Sequence, residues 1–334
     1  MKLVSGILLF LLTAVISGFG QGVLTLPTTY THTCDASAAV ALDLDRFVVA
    51  SDEDNVLRIY SRSHPGPPIS RVDVSSFLKL TKKSHEADLE GAARIGNRIF
   101  WISSHSSSAS GNANPNRQRF FATDVRTTNE ETTLVPVGAP YVALLYDLIR
   151  EPKFSRFNLA RATQTNPKKS GTLNIEGLAA TPEGHLLIGF RTPIPKRKAL
   201  LVPLINPNAV LEGKPASFGE AILLELNGLG IRGFDYHAGR YWIIAGHYDN
   251  KVPARLYSWA GGKTEPRWLS EINLAGFNPE AMFFPNDVGA DRFFILSDDG
   301  GVSIGGKDCK DLKDPNLKRF RCYSVTINDR AAGN

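Results

Sequence analysis

One pattern of oxygen-bearing side chains recurs along the chain: Asp88-Leu89-Glu90-Gly91, Asn174-Ile175-Glu176-Gly177 and Asn278-Pro279-Glu280-Ala281. Each copy sets two hard donors two residues apart, just ahead of an apolar run. Donors of this kind suit calcium, which takes six to eight oxygens in loose geometry. The same carboxylates have another use. A buried carboxylate needs some partner, and backbone N–H groups or the arginines Arg191 and Arg232, at related positions, would serve. His105 and His247 close two of the apolar runs. Beside carboxylates they would act as general acid and base, because imidazole titrates near neutrality; otherwise they are hydrogen-bonded wall residues. Arg191 and Arg232 could grip a carboxylate or phosphate bidentately, and Glu53 and Asp299 complete the candidate substrate-binding set.

The element that must position these residues is a hairpin. Residues 90–105 read EGAARIGNRIFWISSH, two apolar runs around Gly96-Asn97, a pair that tolerates the positive φ of a tight turn. The outline returns at 176–191 (EGLAATPEGHLLIGFR), at 232–247 (RGFDYHAGRYWIIAGH) and, with a longer turn, at 280–299 (EAMFFPNDVGADRFFILSDD). A fainter copy spans 38–53 (AAVALDLDRFVVASDE). Further strand candidates follow each hairpin, and the third ones resemble one another: VLRIYSR, RFFATDV, ARLYSWA, RFRCYSV. Four short strands per unit is the content of a propeller blade, so the sequence predicts an all-β propeller of five blades. A sixth is the alternative should 141–173 hide a degenerate unit. The last unit is one strand short, and a lone strand candidate near Val23 would complete it and close the ring. In a hairpin the start of the first strand and the end of the second lie together. Glu90, Glu176, Arg232 and Glu280 with Glu53, His105, Arg191, His247 and Asp299 should therefore crowd one mouth of a central channel.

The rhythm breaks at 140–172. Pro140 followed by 141–150 reads as a short helix that starts at proline and stops before Pro152. A basic stretch follows, either a solvated insertion over the rim or a lid presenting Arg156, Arg161, Lys168 or Lys169 to an anionic ligand.

Composition bounds the remaining classes. The 334 residues are 43% hydrophobic and 21% charged, enough for one large β domain over 21–334. The net charge of +5 and pI near 9.0 come from scattered basic residues, which argues against nucleic acid as a partner. Residues 1–20 carry Lys2, an apolar run too short to span a bilayer and small residues at Gly18 and Gly20, the pattern of a cleaved signal peptide. The mature protein is thus expected to be exported to periplasm or medium, with no membrane span after cleavage. Of the three cysteines, Cys309 and Cys322 are close enough in sequence to bridge in an oxidising compartment, with Cys34 the odd thiol. The segment Gly228-Leu229-Gly230-Ile231-Arg232-Gly233 matches the dinucleotide fingerprint but leads into a strand, so no helix N-terminus awaits a pyrophosphate. No P-loop, Gly-x-Ser-x-Gly or His-Glu-x-x-His is present.

The segments DASAAVALDLDRFVVASDEDNVLRIYSR, EADLEGAARIGNRIFWISSH, NIEGLAATPEGHLLIGFR and LGIRGF together resemble a family of bacterial exported proteins catalogued as a domain of unknown function. That resemblance implies a propeller and no activity. More distantly, the repeated Asn-x-Glu-Gly is similar to the inner-strand motif of phytase-like esterases and calcium-dependent lactonase propellers. From these relatives only Glu90, Glu176 and Glu280 carry over, as channel carboxylates; Arg232 and Ala38 depart from the pattern. Two functions stand side by side. One is a calcium-dependent hydrolase of ester, lactone or phosphoester type at the channel mouth. The other is a non-catalytic propeller gripping a polysaccharide, peptide or partner protein there.

Overall fold

The computed structural model describes residues 22–327, apart from 82–85, 109, 130, 165, 167–168, 170 and 286–291. The proposed signal segment at 1–20 lies outside the described residues, as do Lys168 and most of the longer turn of the last hairpin.

Alternating and aromatic-rich runs become strands because their side chains pack on a pleated surface. They form five antiparallel sheets around an axis. Blade 1 runs Ala38–Ala41, Arg46–Ala50, Val56–Ser61, Ser70–Asp73, and blade 2 Leu89–Ile95, Arg98–Ser103, Phe120–Thr128, Glu131–Tyr141. Blade 3 is Asn174–Ala180, Leu186–Thr192, Ala199–Leu204, Ile222–Leu224, and blade 4 Gly230–His237, Arg240–Gly246, Arg255–Trp259, Arg267–Trp268. Blade 5 has Pro279–Phe283, Arg292–Ser297 and Arg319–Ile327. Each inner strand packs against the next, and that of blade 5 packs against that of blade 1, closing the ring.

Closure is made as the lone strand suggested, with one addition. Gly22–Leu24 pairs with Val325–Ile327, and a second segment, Thr28–Thr31, pairs with Arg319–Cys322. Blade 5 thus borrows its outermost strand, in two pieces, from the N-terminal side of the chain. No sixth blade is present among the described residues.

Three further expectations are corrected. The helix of the insertion is Leu144–Arg150, and Pro140 lies instead in the strand Glu131–Tyr141, whose register shifts between Val137 and Tyr141. Proline fits there because the shift leaves that stretch out of regular pairing. The insertion is also more than a solvated rim: Leu144, Leu148, Phe154, Phe157 and Leu159 are buried in one cluster with core residues of blades 2 and 3. The disulfide joins Cys34 to Cys309, with 5.9 Å between Cα atoms, and Cys322 is the free thiol. Cys322 sits mid-strand in blade 5, packed among Tyr30, Phe283 and Phe320. Its neighbour in sequence is therefore not its neighbour in space. The bond ties the approach to blade 1 to the loop between the second and third strands of blade 5.

Candidate functional site at the channel mouth

The starts of four of the five inner strands are irregular in the same way. Pairing slips between Leu89 and Gly91, Ile175 and Gly177, Ile231 and Gly233, and Pro279 and Ala281. The residue inside each slip is Glu90, Glu176, Arg232 or Glu280. A bulge leaves one residue unpaired and re-aims its side chain, and here it aims four long polar side chains at the axis. The small residue that follows has a separate cause. A Cβ on Gly91 would meet Leu178 at 3.1 Å, one on Gly177 would meet Ile231 at 2.7 Å, and one on Gly233 would meet the Glu280 carbonyl at 2.3 Å. The Glu-Gly motif is a bulge plus a close approach of neighbouring blades. Blade 1 has regular pairing and Ala38 at this place.

The four side chains divide into two sets. Arg232, 2% exposed, forms ion pairs with Glu280 and, at 3.6 Å, with Glu176, and donates to Asn278 Oδ1 at 2.6 Å and Asn250 Oδ1 at 3.2 Å. Arg191 pairs with Glu176 at 2.5 Å and donates to the His247 and Tyr248 carbonyls and to Asn250. Asn174 donates to Glu176 at 2.8 Å. Burial and the neighbouring Arg191 lower the Arg232 guanidinium to about 10, still charged at neutral pH. Five of the anticipated mouth residues on blades 3 to 5 (Glu176, Glu280, Asn174, Asn278, Arg232) therefore form an arginine–carboxylate lattice with Arg191, a use open from the start.

Glu90 is different. It is 9% exposed, and no side chain among the described residues hydrogen-bonds or pairs with its carboxylate. One of its oxygens lies within 4.8 Å of oxygens of Asp52 and Asp88, and Asp52 is in turn grouped with Asp35 and Glu53. Asp88 accepts from Ser104 and lies 3.3 Å from Arg117, which also holds Glu86. Asp52 accepts from Ser37 at 3.2 Å, and Glu53 is drawn outward to Lys310 at 3.0 Å. Burial, then Glu176 and Asp88, push Glu90 well above the ordinary carboxylate range; burial and Asp88 do the same to Asp52. Burial raises Asp88 to about 6, against the pull of Arg117. Asp35 is raised to about 10 by burial and by its hydrogen bond to Asp298. Beneath the mouth the channel holds only about 10 Å³ of free space, room for one water-sized body, between Glu90, Glu176, Glu280 and the apolar Leu178, Phe234 and Met282.

The two histidines separate. His105 is buried; its Nδ1 contacts the Ser103 carbonyl at 2.8 Å, its Nε2 has no partner, and burial lowers its pKa to about 4. His247 lies at the mouth, paired with Asp249 and lining an open groove of about 390 Å³ with Arg232, Asn278, Asp298 and Arg321. Asp299 is bound by Arg321 at 2.7 Å.

Residues 35–132 and 142–271 match the family described as "Protein of unknown function (DUF3616)", well over half of the chain. The chain belongs to this family. Among curated proteins no sequence matches this DUF3616 member. Among solved structures it is similar to a GH43 β-1,3-galactosidase with galactodeoxynojirimycin, at 10% identity and TM-score 0.50, over 90% of this chain and 92% of that one. A glutaminyl cyclase from Myxococcus xanthus (10% identity, TM-score 0.47, 93% and 100% covered) is another. So is a PQQ-bound aldose sugar dehydrogenase from Streptomyces coelicolor (10%, 0.44, 92% and 98%). These likenesses concern the fold.

Sequence reasoning assigned no role to Asp35, Asp52, Asp249 or Asp298 of the DUF3616 mouth. Blade 1 lacks the bulge, so a residue-by-residue alignment of the hairpins slips there and lands on Glu53, not Asp52. Asp35 and Asp298 meet through an isolated bridge between segments far apart in sequence, which leaves no local signature. Among the described residues no helix is long and apolar enough to cross a membrane.

Proposed function

We propose that the protein is an exported, calcium-dependent hydrolase of ester, lactone or phosphoester bonds, with its site at the mouth where blades 1, 2 and 5 meet. The observation that carries this reading is Glu90: a buried carboxylate without a side-chain partner among the described residues, beside Asp52 and Asp88. Oxygens up to 4.8 Å apart fit around one cation, since calcium–oxygen distances of about 2.3–2.6 Å put opposite ligands roughly 4.6–5.2 Å apart. Hard carboxylate donors favour calcium over softer metals. Asp52, Asp88 and Glu90 would hold the ion, with Asp35 beside them, in place of the wider ring including Glu176, Glu280, Asn174 and Asn278. Glu176, Glu280 and Asn278 already have arginine partners, and Asn174 is turned to Glu176 through its NH2 group.

Bound calcium would polarise a substrate carbonyl or phosphoryl oxygen. The other roles fall to the chain itself. His247, oriented through Nδ1 by Asp249, presents its other ring nitrogen for proton transfer. Arg191 and Arg232, held by Glu176 and Glu280, fix the wall of the groove opposite the acidic half. The disulfide supports export, because such bonds persist in oxidising compartments.

In protein stripped of metal and then reloaded, calcium should raise the melting temperature and support turnover of a panel of ester, lactone and phosphoester substrates. Glu90→Gln should abolish both effects, and His247→Ala only the turnover. Melting and turnover indifferent to calcium would sink the reading. A non-catalytic binding propeller is the second reading, favoured by the burial of His105, which leaves one accessible histidine where an acid–base pair was expected. Ligand capture at the groove with no turnover across the panel would select it.

A further inference from the structure

A second cleft lies on the outer side of His247, between the insertion and blades 3 and 4, with a volume of about 660 Å³. That is the size of an ordinary small-molecule site. Phe157, Ile194, Leu223 and Tyr248 give it apolar walls, and its charged lining is Arg156, Lys196 and Arg197, with neither Asp nor Glu. The contrast with the mouth is chemical: Arg191 and Arg232 are consumed by carboxylates, whereas none of these three cations pairs with a carboxylate among the described residues. Arg156 rests on the Phe157 ring at 4.9 Å.

The backbone holds two of the three in an unfavourable conformation. Lys196 and Arg197 are consecutive left-handed residues, φ 51° and 63°. Non-glycine residues reach that region at a cost of roughly 1–2 kcal/mol each. The Arg197 guanidinium lies over Gly228, where a Cβ would stand 2.8 Å from Nη2. Strain and a glycine together set the cations against a cleft that offers them no counter-ion.

We infer that this cleft binds a small amphipathic anion, a phosphate monoester whose head is held by Arg156, Lys196 and Arg197 and whose apolar body lies against Phe157, Ile194 and Leu223. A doubly charged head matches three cations better than a single carboxylate does, and guanidinium groups bind phosphate oxygens in pairs. The apolar walls supply affinity that inorganic phosphate alone cannot use. The site is read by binding in metal-free protein, so it stands or falls apart from the hydrolase reading.

The test is titration calorimetry of the full chain with n-octyl phosphate, n-octanol, octanoate and inorganic phosphate at two salt concentrations. Octyl phosphate should bind one to one and weaken with salt, and each of the other three should bind at least about tenfold more weakly. Lys196→Gln with Arg197→Gln, both exposed, should reduce octyl phosphate affinity about tenfold or more at unchanged melting temperature. Leu223→Asp should weaken it as well, through the body. Octanol or octanoate binding as tightly as octyl phosphate, or full affinity in the double variant, overturns the inference.

Discussion

Replacing Arg232 by methionine should be among the most damaging single changes in this protein, and the lattice around it says by how much. The guanidinium is 2% exposed and serves Glu280, Glu176, Asn278 and Asn250 at once. Methionine fills similar volume, so the loss is electrostatic more than steric. Glu280 loses its only ion-pair partner among the described residues while staying 8% exposed, and Glu176 keeps Arg191. Breaking a buried pair from one side costs about 3–5 kcal/mol, because an uncompensated charge is left in low dielectric. For a chain of this length, specific unfolding entropies translate that into a fall of roughly 5–8 °C in Tm. Arg232→Lys should recover only part, since a point charge cannot serve four partners spread around a planar group. Adding Glu280→Gln to Arg232→Met should recover about 1–3 kcal/mol by removing the stranded charge. Urea titrations of wild type, both single variants and the double variant form a thermodynamic cycle. If Arg232→Met stays within about 0.5 kcal/mol of wild type, or the cycle shows no coupling, the lattice does not hold the blades as argued.

Glu90 should behave in the opposite sense: with metal removed, Glu90→Gln should stabilise the fold by thermal melting, because an unpaired, desolvated carboxylate is traded for a neutral amide. Burial raises Asp235, at the far end of the channel, to about 7. The folded chain there keeps a proton that the unfolded chain releases, so stability falls as pH rises from about 4 to about 7, and Asp235→Asn should flatten that part of the melting-temperature profile. Cys34→Ser or Cys309→Ser should cost roughly 2–5 kcal/mol in denaturant unfolding, and Cys322→Ser far less; a non-reduced peptide map should recover Cys34 with Cys309. Gly230→Ala should prevent folding or cost several kcal/mol, since its Cβ would stand 1.9 Å from the Arg191 carbonyl oxygen. At Gly184, φ 80° with open space around it, alanine should cost only about 1 kcal/mol.

The fold was legible because hairpins are local: period-two alternation around Gly96-Asn97 or Ala238-Gly239 needs no knowledge of distant residues. Repetition then supplied the ring, and a missing strand supplied the closure. Partners across blades were not legible. Whether Glu176 meets a cation or Arg191 depends on how adjacent inner strands rotate and slip, and nothing near Glu176 in sequence encodes it. His105 shows the same limit. It ends its hairpin as His247 does, yet its backbone is left-handed, with φ 54°, and its ring is buried against the Ser103 carbonyl. The Cys34–Cys309 bond joins residues 275 apart, beyond the reach of spacing arguments. Thr28–Thr31 was missed because four residues, though strand formers by type, are too short a run to stand out until Arg319–Cys322 is beside them.

The borrowed strand of blade 5 sets a timetable. Gly22–Leu24 and Thr28–Thr31 leave the ribosome about 290–305 residues ahead of their partner Arg319–Ile327. At about 5–20 residues per second the early segments wait roughly 15–60 s with unsatisfied backbone edges. Blades 1 to 4 can condense during that interval, but the ring stays an open crescent until the final strand arrives. Completion thus waits on Arg319–Ile327, and a product that stops short of them should be recognisable to proteases by its gap between blades 5 and 1.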